Sequence, residues 1–547
     1  MKRKLLTRMI SGLLCSLLLT GSTVLPALAS GDGGDGADSV TIRVCNWEEY
    51  IDLGDWDEEE TIDLDSGDII GENSMVEDFE EWYYETYGIR VNVEYSTFGT
   101  NEDLYNMLTL GDEYDLVCPS EYMIMKLMAE EQLVPLSDEF FNEEDENNYY
   151  TRGVSPYIRS IFESSKINGE PWAKYAAGYM GGITGIVYNP ESVAEEDVHT
   201  WDILNDPAYY RQVTLKDNVR DSYFAAVGAL KSELLTSEEF RSAPDYAKRL
   251  EEEMNDTSPE TVQMVQDYLQ SVKNNAYSFE TDSGKADMIT GKVVANYQWS
   301  GDAVYTMDQA DEDDFTLEFA VPEESTNIYF DGWVMLKNGI NGDAARQHAA
   351  EAFINFNSRP DNAIRNMYYI GYTSVISGGE DERIFEYADW CYGAEDDEED
   401  VTEYDISYFF EGINDEDAAE AEEEESETAD EDAAEAVWEE SERVAEESAE
   451  AEEGSAEDEE EEEGYIICAP TDQIRRQLFA QYPDQETISR SSIMIYFDEA
   501  QNEVINQMWI SVRCYNIKNV PVWAWVIAAA VIAAAGTAFI RTRKHFV

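Results

Sequence analysis

The sequence predicts an α/β body of two lobes held outside a membrane, and three observations lead there. Apolar strand-like runs alternate with helical stretches of about ten residues between residues 40 and 323, the pattern of parallel sheets crossed by helices. Long apolar runs sit near both ends of the chain, and what lies between them is strongly acidic. The 547 residues hold 34 Tyr, 20 Phe and 12 Trp, more ring surface than a disordered acidic chain carries, so a folded body is expected.

Residues 1–29 read as a secretory signal: Lys2, Arg3, Lys4 and Arg8, an apolar run from Ile10 to Leu25, then Ala27-Leu28-Ala29 as a cleavage site. Cys15 lies inside that run behind the bulky Leu14, which argues against a lipid-modified cysteine. Residues 40–45 form an apolar strand, 75–87 a helix with Phe79, Trp82 and Tyr83 inward, and 89–95 an alternating strand. A helix over 101–110 opened by Asn101, a strand over 114–118 and a helix over 121–129 follow. The acidic stretch 55–73 reads as a surface loop. A second set of α/β units begins near residue 181, with a strand at Val213-Thr214-Leu215, a helix over 222–230 and a strand over 293–299.

Residues 378–464 read as an acidic low-complexity insertion, disordered or transiently helical. Within it, 415–463 holds 28 Asp+Glu against one basic residue, Arg443, and that imbalance makes it self-repelling. Residues 465–514 form a C-terminal helical part that returns to the hinge and the second lobe, with a last helix over 499–512. Residues 520–540 are apolar throughout, with Pro521, Trp523 and Trp525 at their start. At about 1.5 Å per residue they span a hydrocarbon core as a transmembrane helix. Arg541, Arg543 and Lys544 make 541–547 a basic tail, which places it in the cytoplasm and the body outside.

Charge and rare residues exclude several functions. With 119 Asp+Glu against 35 Lys+Arg the net charge is -84, which repels nucleic acid and calls for cationic partners. The three histidines, His199, His348 and His545, are too few for a poly-His metal site or a protease triad, so no metal and no cofactor are expected. Cys45 and Cys118 each close an apolar strand and read as buried thiols, whereas Cys391 and Cys468 bracket the acidic insertion and could staple its ends.

In open parallel sheets ligands bind beyond the carboxyl ends of the strands. Two such ends carry Asn46-Trp47-Glu48-Glu49-Tyr50 and Pro119-Ser120-Glu121-Tyr122. At these loops the sequence resembles the spermidine/putrescine-binding proteins of bacterial ABC transporters. The likeness extends through Tyr95-Ser96-Thr97, Asn101-Glu102, Tyr105, 114–122, 200–204, 217–221, 297–301, 329–331 and 370–373, in matching order over about 330 residues.

The resemblance implies a type II periplasmic-binding-protein fold: lobe I over 40–177 and 332–377, lobe II over 178–331, joined by crossing strands that close on a polyamine like a hinge. It also implies delivery to ABC permease subunits and, through them, an ATPase. The ligand-binding positions it implies are Trp47, Glu48, Tyr50, Ser120, Tyr122, Asn218, Asp221, Trp299, Tyr329, Asp331 and Tyr372. Glu48 stands where the family usually has Ser or Thr, Asn218 where it often has Asp, and Tyr329 where it commonly has Trp. The residue types fit a polyamine, whose methylenes need flat apolar walls and whose ammoniums need ring faces and carboxylates. Trp47, Tyr122, Trp299 and Tyr329 supply walls; Asp331, Asp221 and Glu48 supply charge. Three carboxylates against three ammoniums favour spermidine over putrescine. Two other readings use the same residues: a tethered sensor or adhesin on this fold, and a hydrolase working through Asp331 and Asp221 as a carboxylate pair.

Overall fold

The computed structural model describes residues 39–56, 60–395, 398–413 and 464–514. The secretory signal, the 415–463 spacer, the transmembrane segment and the basic tail expected from sequence lie outside the described residues. Among those described, no helix is long and apolar enough to cross a membrane.

Strand β1 (Ser39–Trp47) turns Val40, Ile42 and Val44 into the core at alternate positions. Helix α1 (Met75–Tyr87) follows, started by a capping box between Ser74 and Glu77 and stopped by Gly88 at φ 70°, a conformation that costs glycine nothing. Strand β2 (Arg90–Phe98), helix α2 (Asn101–Leu110), strand β3 (Leu116–Val117) and helix α3 (Glu121–Ala129) complete the first unit. Thr100, not Asn101, caps α2: its hydroxyl accepts from the Asp103 N–H and leaves the Asn101 side chain free to turn inward. The long strand β4 (Ala176–Tyr188) leads into the second unit of β5 (Val213–Lys216), α4 (Val219–Leu230), α5 (Pro259–Asn275), β6 (Ser278–Glu280), β7 (Ala295–Trp299) and α6 (Ser300–Glu312). Strand β8 (Thr326–Leu336) returns to the first.

The strands lie in the order β2-β1-β3-β8-β4-β7-β5-β6. Each outer set is parallel, as the alternation of strands and helices requires, while β4 and β8 run antiparallel to each other between them. These two strands are the crossing pair. The β4–β8 register shifts between Asp331 and Gly332, so a bulge falls where the chain passes from one lobe to the other.

Three expectations need correction. The described residues of the acidic stretch, 55–56 and 60–73, are a folded cover on the first lobe, with Ile62, Leu64 and Ile69 buried and Trp56 against Tyr368. Arg365 pins both ends of this cover: its guanidinium bonds Asp52 just before the stretch at 2.6 Å, Asp78 just after it at 2.6 Å and the Asn73 carbonyl at 2.8 Å. Residues 378–413 are not low-complexity spacer either. Helix α9 (Arg383–Tyr392), after α7 (Ala344–Asn357) and α8 (Pro360–Ile370), buries Ile384, Tyr387 and Tyr392. Strand β9 (Val401–Asp405) then pairs antiparallel with β10 (Ile466–Pro470). Cys391 and Cys468 form no disulfide, and Cys468 faces solvent on β10, while Cys45 and Cys118 are buried thiols.

Residues 477–492 run along the crossing strands: Thr373 Oγ1 donates to the Gln481 carbonyl, Gln481 Nε2 donates to the Gly371 carbonyl, and Ser491–Ser492 pairs with the start of β8. The last helix, α10 (Glu499–Arg513), lies on α5, where Lys273 Nζ donates to the Val512 carbonyl at 2.7 Å. Replacing Arg365 by Met should cost about 3–5 kcal/mol in urea unfolding, because it strands the fully buried Asp52 carboxylate. A loss under about 1 kcal/mol would show that the acidic cover is held by its apolar residues alone.

Candidate functional site

Asp331 lies at the β8 bulge, 5 % exposed, and both of its oxygens are taken by hydroxyls of the first lobe. Tyr50 Oη donates to Oδ2 at 2.8 Å and Ser120 Oγ donates to Oδ1 at 2.7 Å. Tyr50 is delivered by the turn after β1, whose Asn46 side chain donates to the Tyr50 carbonyl at 3.1 Å. Ser120 is the residue before α3. Its backbone N–H donates to Asn101 Oδ1, and Asn101 Nδ2 donates back to Ser120 Oγ and to Tyr122 Oη. No cation pairs with Asp331 among the described residues. Burial therefore pushes its carboxyl up to about 6, partly offset by Ser120 and Tyr50.

Rings close around it. Tyr50 meets Tyr372 edge-on with centroids 5.0 Å apart, and Tyr372 meets Tyr329 at 6.4 Å. An added Cβ at Gly182 on β4 would stand 2.6 Å from Tyr329 Oη and 2.4 Å from Ser300 Oγ, so this position keeps its glycine to let the ring in. Glu121, next to Ser120, is buried with Oε2 accepting from the Phe330 N–H. Burial, then the Asp331 charge, pushes it up to about 8, so it is protonated at neutral pH and leaves Asp331 as the anion.

The second lobe brings Asp221 and Trp299. Trp299 Nε1 donates to Asp221 Oδ1 at 3.4 Å, and burial pushes the Asp221 carboxyl up to about 6 against the pull of Lys216. Asn218 caps α4, its side-chain oxygen accepting from the Arg220 and Asp221 N–H groups, so it orients Asp221. Trp47 leans on Phe98 at 4.7 Å, and Glu48 is exposed on the turn. The structure thus brings Tyr50, Ser120, Tyr329, Asp331 and Tyr372 into one cluster, with Tyr122 attached through Asn101, and sets Asp221 and Trp299 in a neighbouring group. The two groups adjoin at Gly182, against which both Tyr329 Oη and the Oγ of Ser300, the residue after Trp299, are packed.

Sequence reasoning missed Asn101, Glu121, Lys216, Arg220 and Asp302. The Arg220 guanidinium lies 4.5 Å over the Tyr122 ring and 3.9 Å over Phe497, and it donates to the Ile495 carbonyl, joining the lobes beside the site. A lysine ending an otherwise uncharged strand, as Lys216 does in Val-Thr-Leu-Lys, was a visible signal.

Residues 74–386 match the family of bacterial extracellular solute-binding proteins. The spermidine/putrescine-binding periplasmic protein of Salmonella typhimurium is 23% identical over 349 residues, covering 63% of this chain and 81% of that protein. The putrescine-binding periplasmic protein of Pseudomonas aeruginosa is 23% identical over 357 residues, 64% of this chain and 80% of that one. A solved structure from Listeria monocytogenes, assigned to a spermidine/putrescine ABC transporter, superposes with a TM-score of 0.52 at 19% identity, covering 87% of this chain and 99% of its own.

The lobes touch where Tyr372 packs on the start of α6: a Cβ at Gly301 would stand 2.0 Å from Tyr372 Cδ2. Gly301→Ala gains roughly 1 kcal/mol of helix propensity yet forces that contact apart. Hydrogen exchange should therefore rise in 371–374 and 300–304 while β1 stays protected; unchanged exchange in both segments would show that the lobes do not rely on this contact.

Proposed function

The chain belongs to the bacterial extracellular solute-binding protein family, and on that footing we propose that it captures a polyamine between its two lobes and presents it to an ABC permease. The family binds and releases solutes without turning them over, so the carboxylates are assigned to binding and not to hydrolysis. One observation carries the polyamine reading: Asp331 is a desolvated carboxylate with hydroxyl partners, ring walls and, among the described residues, no cation of its own. A buried charge without a counter-charge costs several kcal/mol, and an ammonium entering the Tyr50–Tyr329–Tyr372 cage repays it. The rings add cation–π attraction of roughly 0.5–2 kcal/mol each. Relatives named for spermidine and putrescine support the same class.

The expected preference for spermidine does not carry over into this reading, because Glu48 is exposed and Asp221 faces a lysine of the protein. We further propose that residues 520–540 anchor the body to the membrane. The full-length protein should then stay with membranes after cell-wall digestion and be released by external protease; recovery of full-length protein in the medium would refute the anchor.

Asp331→Asn keeps the size and one accepting oxygen, leaves the other hydroxyl to accept from the new amide instead of donating, and removes the charge. Affinity for putrescine and spermidine should fall at least about 30-fold in calorimetry. At pH 7.5 the unliganded variant should melt several degrees higher than the parent, since the unpaired charge is gone. Unchanged affinity, or a lower melting temperature, would remove Asp331 from the site.

The pH dependence follows with its sign. A carboxyl whose pKa is raised by folding is penalised when ionised, so the unliganded protein loses stability as pH rises from the ordinary carboxylate range through about 6. An ammonium needs the ionised form. Affinity should therefore be level above about pH 6 and fall about tenfold per pH unit below it, with Asp221 steepening the fall if it too must ionise. An affinity independent of pH between 7.5 and 5 would contradict the pairing.

A further inference from the structure

The second lobe carries an ammonium of its own where the resemblance expects the ligand's. Lys216 ends β5, its side chain is 1 % exposed, and its Nζ stands 4.0 Å from the centroid of the Trp299 ring. It donates to the Thr281 carbonyl at 2.9 Å and lies 3.4 Å from Asp302 Oδ2, while Lys285 takes the other oxygen of Asp302 at 3.1 Å. Asp221, bonded to the Trp299 indole N–H, sits within reach of the same charge. A lysine is four methylenes ending in a primary ammonium, chemically one end of a polyamine tethered to the backbone. It is held here by the set a polyamine end requires: a ring face, a carboxylate and a carbonyl.

Asp331 and the Lys216 cluster differ in what they leave unpaired. Among the described residues Asp331 has no cation beside it, whereas Asp302 is shared by two lysines and Asp221 feels the charge of Lys216. A ligand ammonium entering the Trp299 end would meet a fixed like charge on a ring face already covered, whereas an ammonium at Asp331 would meet only opposite charge.

Resting on the polyamine reading of this site, we propose that Lys216 is a specificity-determining residue: a built-in ammonium that fills the Trp299–Asp221 end of the cleft and sets the ligand's charge, so that a short diamine binds in preference to a triamine. Spermidine then carries one ammonium more than the cleft can pair. Putrescine places one on Asp331 and keeps the other toward the acidic rim, where Glu49 lies close enough to act on Lys285.

The test is calorimetry of the full chain and of Lys216→Met with putrescine and spermidine at pH 7.5 and physiological salt. Met fills the same volume, and Asp302 keeps Lys285. The parent should bind putrescine more tightly than spermidine, and Lys216→Met should shift the affinity ratio toward spermidine by about threefold or more. Tighter spermidine binding by the parent overturns the proposal, as does a smaller shift in a folded variant. Should Lys216→Met fail to fold, the parent's ratio decides alone. Failure of both amines to bind the parent ends the polyamine reading and this one with it, whereas binding of both with spermidine tighter ends only this one.

Discussion

A carboxylate without a counter-ion, buried at the junction of two lobes, is the constraint around which the rest of the structure is arranged. Asp331 is held ionisable only because Tyr50 and Ser120 each aim a hydroxyl at it, and each hydroxyl is itself fixed by the backbone that delivers it. Asn46 holds the Tyr50 carbonyl, and Asn101 holds Ser120 from both its amide and its oxygen. The bulge in β8 sets the side chain into this group, and Glu121 can lie beside it only by keeping its proton, which burial and the Asp331 charge enforce. Of these two carboxyls Asp331 ionises first, and burial together with its charge holds the proton on Glu121.

That charge divides the labour between the lobes. The first lobe contributes hydroxyls and rings, which surround Asp331 without neutralising it. The second contributes Lys216, Lys285 and Arg220, which neutralise the lobe's own acids and reach across to Tyr122. The piece of chain after the acidic spacer completes the junction: Gln481 braces 371–373, and the Ile495 carbonyl holds the Arg220 guanidinium. Arg220 is thus anchored on its own lobe while its face lies on a ring of the other.

Local signals carried the sequence reading a long way. The helices over 75–87, 101–110 and 121–129 have the bounds expected of them, because apolar spacing, caps and stop glycines act within a few residues. Five of the eleven expected ligand positions come together in one cluster. What sequence could not show was who pairs with whom. Nothing near residue 52 indicates that Arg365 neutralises Asp52, so 55–73 reads as a solvated loop although it is packed. Composition hid the stretch after 378 in the same way, since the partners of its rings are distant in sequence: Tyr157 for Tyr408, Gln481 for Tyr392 and Tyr482 for Phe409. Nor could sequence show that the Asp221 carboxyl lies within the pull of Lys216, five positions away on the preceding strand.

The surface charge and the cleft do different work, and magnitudes separate them. A net charge of -84 draws every cation toward the body, but beyond roughly 8 Å in physiological salt that attraction is screened and it distinguishes one amine from another only by total charge. On that basis the most highly charged polyamine would always win. On the proposed polyamine reading, discrimination has to come from inside, where water is excluded and each charge must find a partner, and there Lys216 and Lys285 already stand against Asp302. An acidic exterior that favours long polyamines and an interior already partly filled with ammonium oppose each other. Because desolvated pairings outweigh screened attraction, that reading leaves the choice of amine to the interior.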